Sequence, residues 1–383
     1  MSYYERDPGS RGWVYRWFGW LLIGGLALAC FAAWQRSESA SDGLDAQQAI
    51  VSAPKPVRGP FNAVEVNRLA ARITPSLVDV ETEIRNLGIG GAGSGIVLSG
   101  SGEILTNNHV INQATTVEVV TKGNQKRYSA RVVGYDRNHD VALLQIQNPG
   151  RLIPAAVGDS NAVRIGEPIL GIGNAGGAGG KPIRAPGKVN NVGRSISTSD
   201  ELTGSTEQLK GLIEILADIR PGDSGGPLVN EAGQVIGVNT AASVNYKTSV
   251  PNGTGYAIPI NDAMQIVQVI RGGRSTDEVH VGPTGIIGIA VAGPSLGPDG
   301  HISPNAKPGA TVTAVGLESP GEAAGLQRGD TIVGLDGTPI DSPTRLTAIT
   351  GRHRPGDRMT LEVVNPAGQR RTTAVVLDDG PPA

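Results

Sequence analysis

At 383 residues, with 55 glycines and 26 prolines but only 4% aromatic residues, the chain is long enough for two domains and rich in turns, which favours β structure over long helices. A formal net charge of -2 leaves no basic field, so nucleic acid is not expected as a partner. The single cysteine, Cys30, excludes an intramolecular disulfide, and the hydrophobic interior must hold the fold unaided.

Residues 1–16 form a tail carrying Arg6, Arg11 and Arg16. From 17 to 34 no charge occurs, and the run passes through Leu21-Leu22-Ile23 and Leu26-Ala27-Leu28 with Trp17, Trp20 and Trp34 as interface anchors; it predicts one membrane-spanning helix. Only Arg36 follows it closely, beside Glu38, Asp42 and Asp45, which places the tail in the cytoplasm and the body outside as a single-pass membrane protein. A retained anchor is preferred to cleavage at Ala27-Leu28-Ala29, which would release a secreted body, and to lipidation at Cys30, where Ala27 stands in place of the expected leucine. Residues 35–60, rich in Ser, Ala and Pro, predict a linker.

Apolar residues at helical spacing predict a helix over 64–73, limited by Pro75. Strands are then predicted at 77–81, 93–98, 103–106, 116–121, 128–135 and 141–146, and again at 169–172, 187–197, 212–216, 227–229, 235–241 and 255–259, with a closing helix over 261–271. About six short strands in each half suit two packed antiparallel barrels with a crevice between them. Gly171-x-Gly173-x-x-Gly176 matches a dinucleotide fingerprint in form, but Gly177, Gly179, Gly180 and Pro182 follow where a helix is required, so it reads as a barrel loop. Neither cofactor nor metal is expected.

The chemistry concentrates in three places. Gly222-Asp223-Ser224-Gly225-Gly226-Pro227 sets a serine among glycines, the arrangement that gives a nucleophile uncrowded N–H donors; those of Gly222 and Ser224 are the expected oxyanion donors. His109, after the strand at 103–106, is the expected base. Asp140, at the mouth of the apolar run 141–146, is the expected partner of the imidazole, and is preferred to Asp136, which reads as part of a polar turn with Arg137 and Asn138. His139 is expected to face the other way.

The order His109, Asp140, Ser224 is that of chymotrypsin-type proteases. The chain resembles the HtrA/Deg serine proteases, especially their secreted actinobacterial PepA-type branch, over about residues 62–380. The resemblance rests on Gly93-Ser94-Gly95-Ile96, Leu105-Thr106-Asn107-Asn108-His109-Val110-Ile111, Asp140-Val141-Ala142-Leu143-Leu144, Gly171-Ile172-Gly173-Asn174, Pro221-Gly222-Asp223-Ser224-Gly225-Gly226-Pro227-Leu228 and Gly255-Tyr256-Ala257-Ile258-Pro259. It implies a mainly β fold: a trypsin-like protease domain, 61–273, built as a chymotrypsin-like double β-barrel and followed by a PDZ domain, 282–378. It further implies an endopeptidase acting on unfolded or damaged proteins outside the cytoplasm, a PDZ domain that binds C-terminal peptides and regulates activity, and a homotrimer.

In the PDZ segment, Ile286-Ile287-Gly288-Ile289 resembles a carboxylate-binding loop, with the N–H groups of Ile287, Gly288 and Ile289 expected to form an anion nest. Leu346 and Ile349, one turn apart on a helix over 343–350, are read either as the pocket for the peptide's last side chain or as ordinary core. Further strands are expected at 310–315, 358–364 and 369–376. Two departures from the family stand out. Asp218 holds the position that floors the specificity pocket in trypsin-like folds, and is read either as selecting a basic residue before the scissile bond or as a loop carboxylate paired with Arg220. Asp223 replaces the asparagine common before the serine, so the loop is locked differently. The competing reading is a PDZ adaptor with an inactive barrel, against which the intact triad argues.

Overall fold

The computed structural model describes residues 59–84, 88–174, 176–177, 179–199, 206–240, 253–293 and 308–382. The tail 1–16, the predicted membrane span 17–34 and nearly all of the linker 35–60 lie outside the described residues; among those described, no helix is long and apolar enough to cross a membrane.

Helix α1 (Ala63–Ile73) starts at a capping box: Asn62 accepts the N–H groups of Val64 and Glu65, and Glu65 accepts the Asn62 N–H at 2.9 Å. Phe61 before the cap and Val66 in the first turn join Leu69, Ala70 and Ile73 in one core, so the aromatic ring is buried in its own chain.

Strands β1 (Leu77–Ile84), β2 (Ile89–Val97), β3 (Glu103–Thr106), β4 (Thr116–Thr121), β5 (Arg127–Asp136) and β6 (Val141–Ile146) pair in the order β5-β4-β1-β2-β3-β6, and a β5–β6 pairing closes the ring. A single-turn helix, α2 (Asn108–Ile111), follows β3. The second barrel closes β7 (Pro168–Gly173), β8 (Ile183–Ser199), β9 (Thr206–Leu216), β10 (Pro227–Val229), β11 (Val235–Thr240) and β12 (Thr254–Pro259) in the order β10-β11-β12-β9-β8-β7. Helix α3 (Ile260–Arg271) buries Ala263, Ile266, Val267 and Ile270 in a core that also takes Leu105 and Leu143 of the first barrel and Leu170 and Val238 of the second. Arg271 then grips Glu103 on β3 with two hydrogen bonds of 2.9 and 2.8 Å, which holds the Glu103 carboxyl below its ordinary range.

Beyond α3 the structure adds what periodicity missed. Strand β13 (Val279–Val281) falls between the two expected domains and pairs with the end of β5, Val279 opposite Asp136 and Val281 opposite Gly134. Val279 and Val281 are its only apolar residues, and the strand it pairs with lies far earlier in the chain. β8 and β9 extend beyond the predicted spans because their pairing shifts register at Val189/Asn191, Asn191/Arg194 and Arg194/Ile196, which breaks the alternation a sequence reading depends on.

The C-terminal sheet runs β15 (Ile289–Ala292), β16 (Ala310–Val315), β17 (Thr331–Leu335), β19 (Arg358–Val364), β20 (Arg370–Val376), with β18 (Thr338–Pro339) on β17. Helices α4 (Pro320–Ala323) and α5 (Pro343–Thr350) accompany it, and β21 (Asp378–Gly380) returns to pair with β14 (Thr284–Ile286). Its core gathers Ile287, Val312, Ile332, Leu335, Leu346, Met359 and Leu361.

His280 on β13 is buried, stacked on Tyr135 with ring centroids 5.2 Å apart, and donates through Nε2 to the Pro283 carbonyl at 3.0 Å, while its Nδ1 has no hydrogen-bond partner among the described residues. Burial pushes its pKa below the ordinary value of 6.5; the carbonyl acceptor opposes this and Arg354 adds to it. A group depressed in the folded state is neutral in both states at high pH, so its contribution is complete there. Stability should therefore fall as pH drops through about 6.5, where the unfolded chain takes up the proton first. Urea midpoints at pH 8 and pH 5.5 should move further apart in the native chain than in His280→Gln; equal separations would assign the pH dependence to other groups.

Candidate active site

The tight turn after β3 places His109 on α2, and the hairpin from β5 to β6 places Asp140 opposite it. Asp140 adopts a left-handed backbone conformation, φ 55°, tolerated by aspartate better than by most side chains. Its backbone carbonyl accepts the Asn107 side-chain amide at 2.9 Å. One carboxylate oxygen accepts the His109 backbone N–H at 2.9 Å, and the imidazole Nδ1 lies 3.0 and 2.9 Å from the two oxygens. Thr240, at the end of β11, donates its hydroxyl to the same carboxylate at 3.1 Å. The carboxylate is thus buried and shared by both barrels, while nearly half of the His109 side chain, 45%, stays exposed. An acceptor at Nδ1 fixes the proton there and leaves Nε2 as the basic nitrogen.

Asp136 differs from its sequence reading. It ends β5, is 1% exposed, and accepts the His139 N–H at 3.1 Å and Nδ1 at 2.7 Å. Burial raises its pKa, His139 opposes that, and the nearby Glu278 adds to it. The expected polar turn was an error of burial: register extends β5 through Asp136. His139 is occupied with Asp136.

Ser224 is buried, at 4% exposure, in the loop between β9 and β10. Backbone hydrogen bonds tie much of its surroundings. Gly225 N–H donates to the Asn239 carbonyl at 2.8 Å, and Asn239 N–H to the Gly226 carbonyl at 2.7 Å. Asp223 N–H donates to the Arg220 carbonyl at 2.9 Å, and the Asp223 carboxylate accepts the Arg220 N–H at 3.0 Å. That reciprocal pair is how aspartate locks this loop. The Pro221 carbonyl accepts the Gly176 N–H at 2.7 Å; because a trans peptide opposes its C=O and N–H, this turns the Gly222 N–H the other way. Gly222 has φ +94°, and a Cβ there would stand 2.2 Å from the Asn174 carbonyl oxygen. Gly171 and Gly173 lie within β7, and Gly176 in the loop beyond it, so the glycine pattern serves the loop at 220–223.

Asp218 is set apart from this constellation. Its side chain is 59% exposed and bound by Arg220, whose Nε lies 2.8 Å from Oδ2. A carboxylate selecting a cationic substrate must be held in a pocket and lack a counter-ion; this one has solvent and a guanidinium, so the second of its two sequence readings is the observed arrangement. Asp218→Ala is expected to change the kcat/KM ratio between Lys-bearing and Ala-bearing peptides by less than twofold, as read by paired fluorogenic substrates.

At the C-terminal sheet, the Ile287 and Gly288 carbonyls accept the N–H groups of Gly321 and Gly316 at 2.7 and 2.9 Å, with Gly288 left-handed at φ +73°. Ile289 begins β15, the edge strand of its sheet. Leu346 is 3% exposed inside the core, and Ile349 packs against that core half-buried. Leu346 therefore already has core partners, and Ile349 is the more accessible of the pair.

Sequence reasoning missed Thr240 and Asn107. Neither carries a local signal, since each acts by meeting residues distant along the chain.

A family model described as a trypsin-like peptidase domain matches residues 93–238, and one described as a PDZ domain matches 285–376. The chain is 33% identical over 292 residues to a putative serine protease HhoA from Synechocystis, covering 75% of this chain and 70% of that protein. It is 32% identical over 378 residues to the chloroplastic protease Do-like 1 of Arabidopsis thaliana, covering 93% and 79%. Against the periplasmic pH-dependent serine endoprotease DegQ of Escherichia coli it is 34% identical over 289 residues, spanning 75% of this chain but only 59% of that protein. Two barrels with a buried serine between glycines, a histidine bound to a buried carboxylate and a following PDZ domain all agree with these matches: the chain belongs to the HtrA/Deg family of trypsin-like serine proteases.

Proposed function

We propose that this enzyme is an extracytoplasmic endopeptidase that cleaves unfolded or damaged proteins with Ser224 as nucleophile, His109 as general base and Asp140 as the carboxylate that orients the base. The observation that supports this most directly is the Asp140 carboxylate, which accepts His109 Nδ1 and backbone N–H together. His109 Nε2 takes the Ser224 proton as Oγ attacks the scissile carbonyl. Asp140 stays ionised and stabilises the imidazolium. The oxygen of the tetrahedral intermediate is received by the N–H groups of Gly222 and Ser224, and His109 then returns the proton to the leaving amine.

The PDZ domain takes extended C-terminal segments along the edge of β15, their carboxylate received by the N–H groups of Ile287, Gly288 and Ile289, with Ile349 and Leu346 beside the last side chain. Occupancy shifts the population of the competent active-site loop. The relative DegQ is periplasmic by name, which supports export of the body. Anchoring through residues 17–34 and assembly as a homotrimer belong to the same reading.

The test is labelling by a fluorophosphonate together with casein cleavage, in the native chain and in Ser224→Ala, with and without C-terminal peptides. Labelling and cleavage both lost in the variant support the reading. A native chain that binds peptides but takes no label is a PDZ adaptor with an inactive barrel.

A further inference from the structure

We infer that Ser94 is a positioning residue for the oxyanion loop, the side chain through which the first barrel sets the Gly222–Asp223 peptide of the second. The inference rests on the proposed roles of Ser224 and Gly222.

Ser94 lies on β2, opposite Asp79 of β1, and is 1% exposed. Its backbone N–H donates to the carbonyl of Ser224 at 2.7 Å. Its hydroxyl donates to the carbonyl of Gly222 at 2.7 Å and accepts the Asn174 N–H, at the end of β7, at 2.8 Å. Its own carbonyl accepts the Thr106 hydroxyl at 2.7 Å. One residue of the first barrel therefore holds the nucleophile's peptide, the oxyanion loop and the strand end beside it. The approach is close: a Cβ at Gly225, φ +83°, would stand 2.1 Å from the Ser94 carbonyl oxygen.

The hydroxyl completes a set of restraints on two consecutive peptides. The Pro221–Gly222 peptide is held by Gly176 N–H on its carbonyl. The Gly222–Asp223 peptide is held at its N–H end by the Arg220 carbonyl and at its carbonyl end by Ser94 Oγ. Gly222 has no side chain to resist rotation, so its neighbouring peptides turn unless both are tied. Without the Ser94 hydroxyl, the half-buried Gly222 carbonyl and the buried Asn174 N–H lose that partner, and rotating the peptide becomes the relief. Rotation carries the oxyanion donor out of line. Because the oxyanion is absent from the bound substrate and develops only on the way to the tetrahedral intermediate, the loss should fall on kcat and leave substrate binding in place.

The experiment compares Ser94→Ala, Ser94→Cys and Ser94→Thr with the native enzyme, each checked for folding by circular dichroism. Ser94→Ala is expected to lower kcat about 10–100-fold with KM changed less than twofold, a smaller loss than the roughly 10²–10³-fold seen when an oxyanion donor itself is removed, because the donor is misplaced rather than deleted. The Ki of a peptidyl boronate, which becomes tetrahedral on Ser224, should rise in step with the fall in kcat/KM. Peptide affinity of Ser94→Ala/Ser224→Ala should equal that of Ser224→Ala. Ser94→Thr, which keeps the hydroxyl, should recover kcat, and Ser94→Cys, a weaker donor, should fall between. If Ser94→Ala does not fold, Ser94→Cys decides by the same two readouts. A folded Ala or Cys variant with native kcat, or a loss of peptide affinity as large as the loss of kcat/KM, overturns the inference. Residual full hydrolysis by Ser224→Ala alone would instead remove the proposed function.

Discussion

Ser224→Ala and His109→Ala should each lower kcat by about 10⁴- to 10⁶-fold, and the double variant should be no slower than the slower single one. In the proposed mechanism the two side chains serve one event, transfer of a proton from alcohol to imidazole as the tetrahedral bond forms. Removing either leaves nothing for the other to do. What remains is acceleration by the oxyanion donors and by substrate binding, about 10³- to 10⁴-fold over water. Asp140→Asn should cost about 10⁴ through the wrong tautomer of His109. Its carboxylate also receives the His109 N–H and the Thr240 hydroxyl, so an amide presenting N–H groups there would misplace both barrels' contributions at once. Steady-state kinetics on one peptide, at matched concentrations of folded enzyme, would check all four variants. Additive losses in the Ser224/His109 pair would mean the two groups do not act together.

Gly222→Ala is expected to lower kcat by at least 10²- to 10³-fold while the chain stays folded and still binds peptide. The added methyl meets backbone on three sides: the Asn174 carbonyl oxygen at 2.2 Å and the Gly176 and Gly177 nitrogens at 3.0 Å. Backbone cannot swing aside as a flexible side chain does, and φ +94° is itself unfavourable for alanine. The loop must leave its native path, taking the Gly222 N–H with it. Fluorophosphonate labelling should slow in parallel, since phosphonylation also builds negative charge on an oxygen that the proposed donors would face. An alanine variant labelling at the native rate would show that the oxyanion is received elsewhere.

The legibility of the fold followed the strength of local signals. The sequence-predicted strands at 103–106, 116–121, 141–146 and 227–229 coincide with β3, β4, β6 and β10, because alternating or continuous apolar runs between turn residues are local facts. The helix over 64–73 was equally plain from its apolar spacing, and that over 343–350 followed from the resemblance to a PDZ domain. β13 was given no element because Val279 and Val281 are its only apolar positions, and its pairing with β5 depends on where the barrel lies. Asp136 was taken for a surface residue because polar neighbours in sequence say nothing of burial by strands arriving from elsewhere.

The amino-acid order by itself determined the residue types and their succession: a histidine, a carboxylate and a glycine-flanked serine, spaced along two runs of short strands and followed by a second β domain. Backbone conformation at the glycines is also written locally, since φ values such as that of Gly222 exclude other side chains. Only the tertiary structure decided which carboxylate meets which histidine, that Asp218 faces solvent and Arg220, and that Thr240 and Ser94 reach across from one barrel to the other. Those choices rest on hydrogen bonds between segments some thirty to well over a hundred residues apart, beyond Asp218's near neighbour, as in the 128-residue separation of Ser94 and Gly222. Such contacts form only when each barrel closes and the two pack together, and no local propensity encodes them.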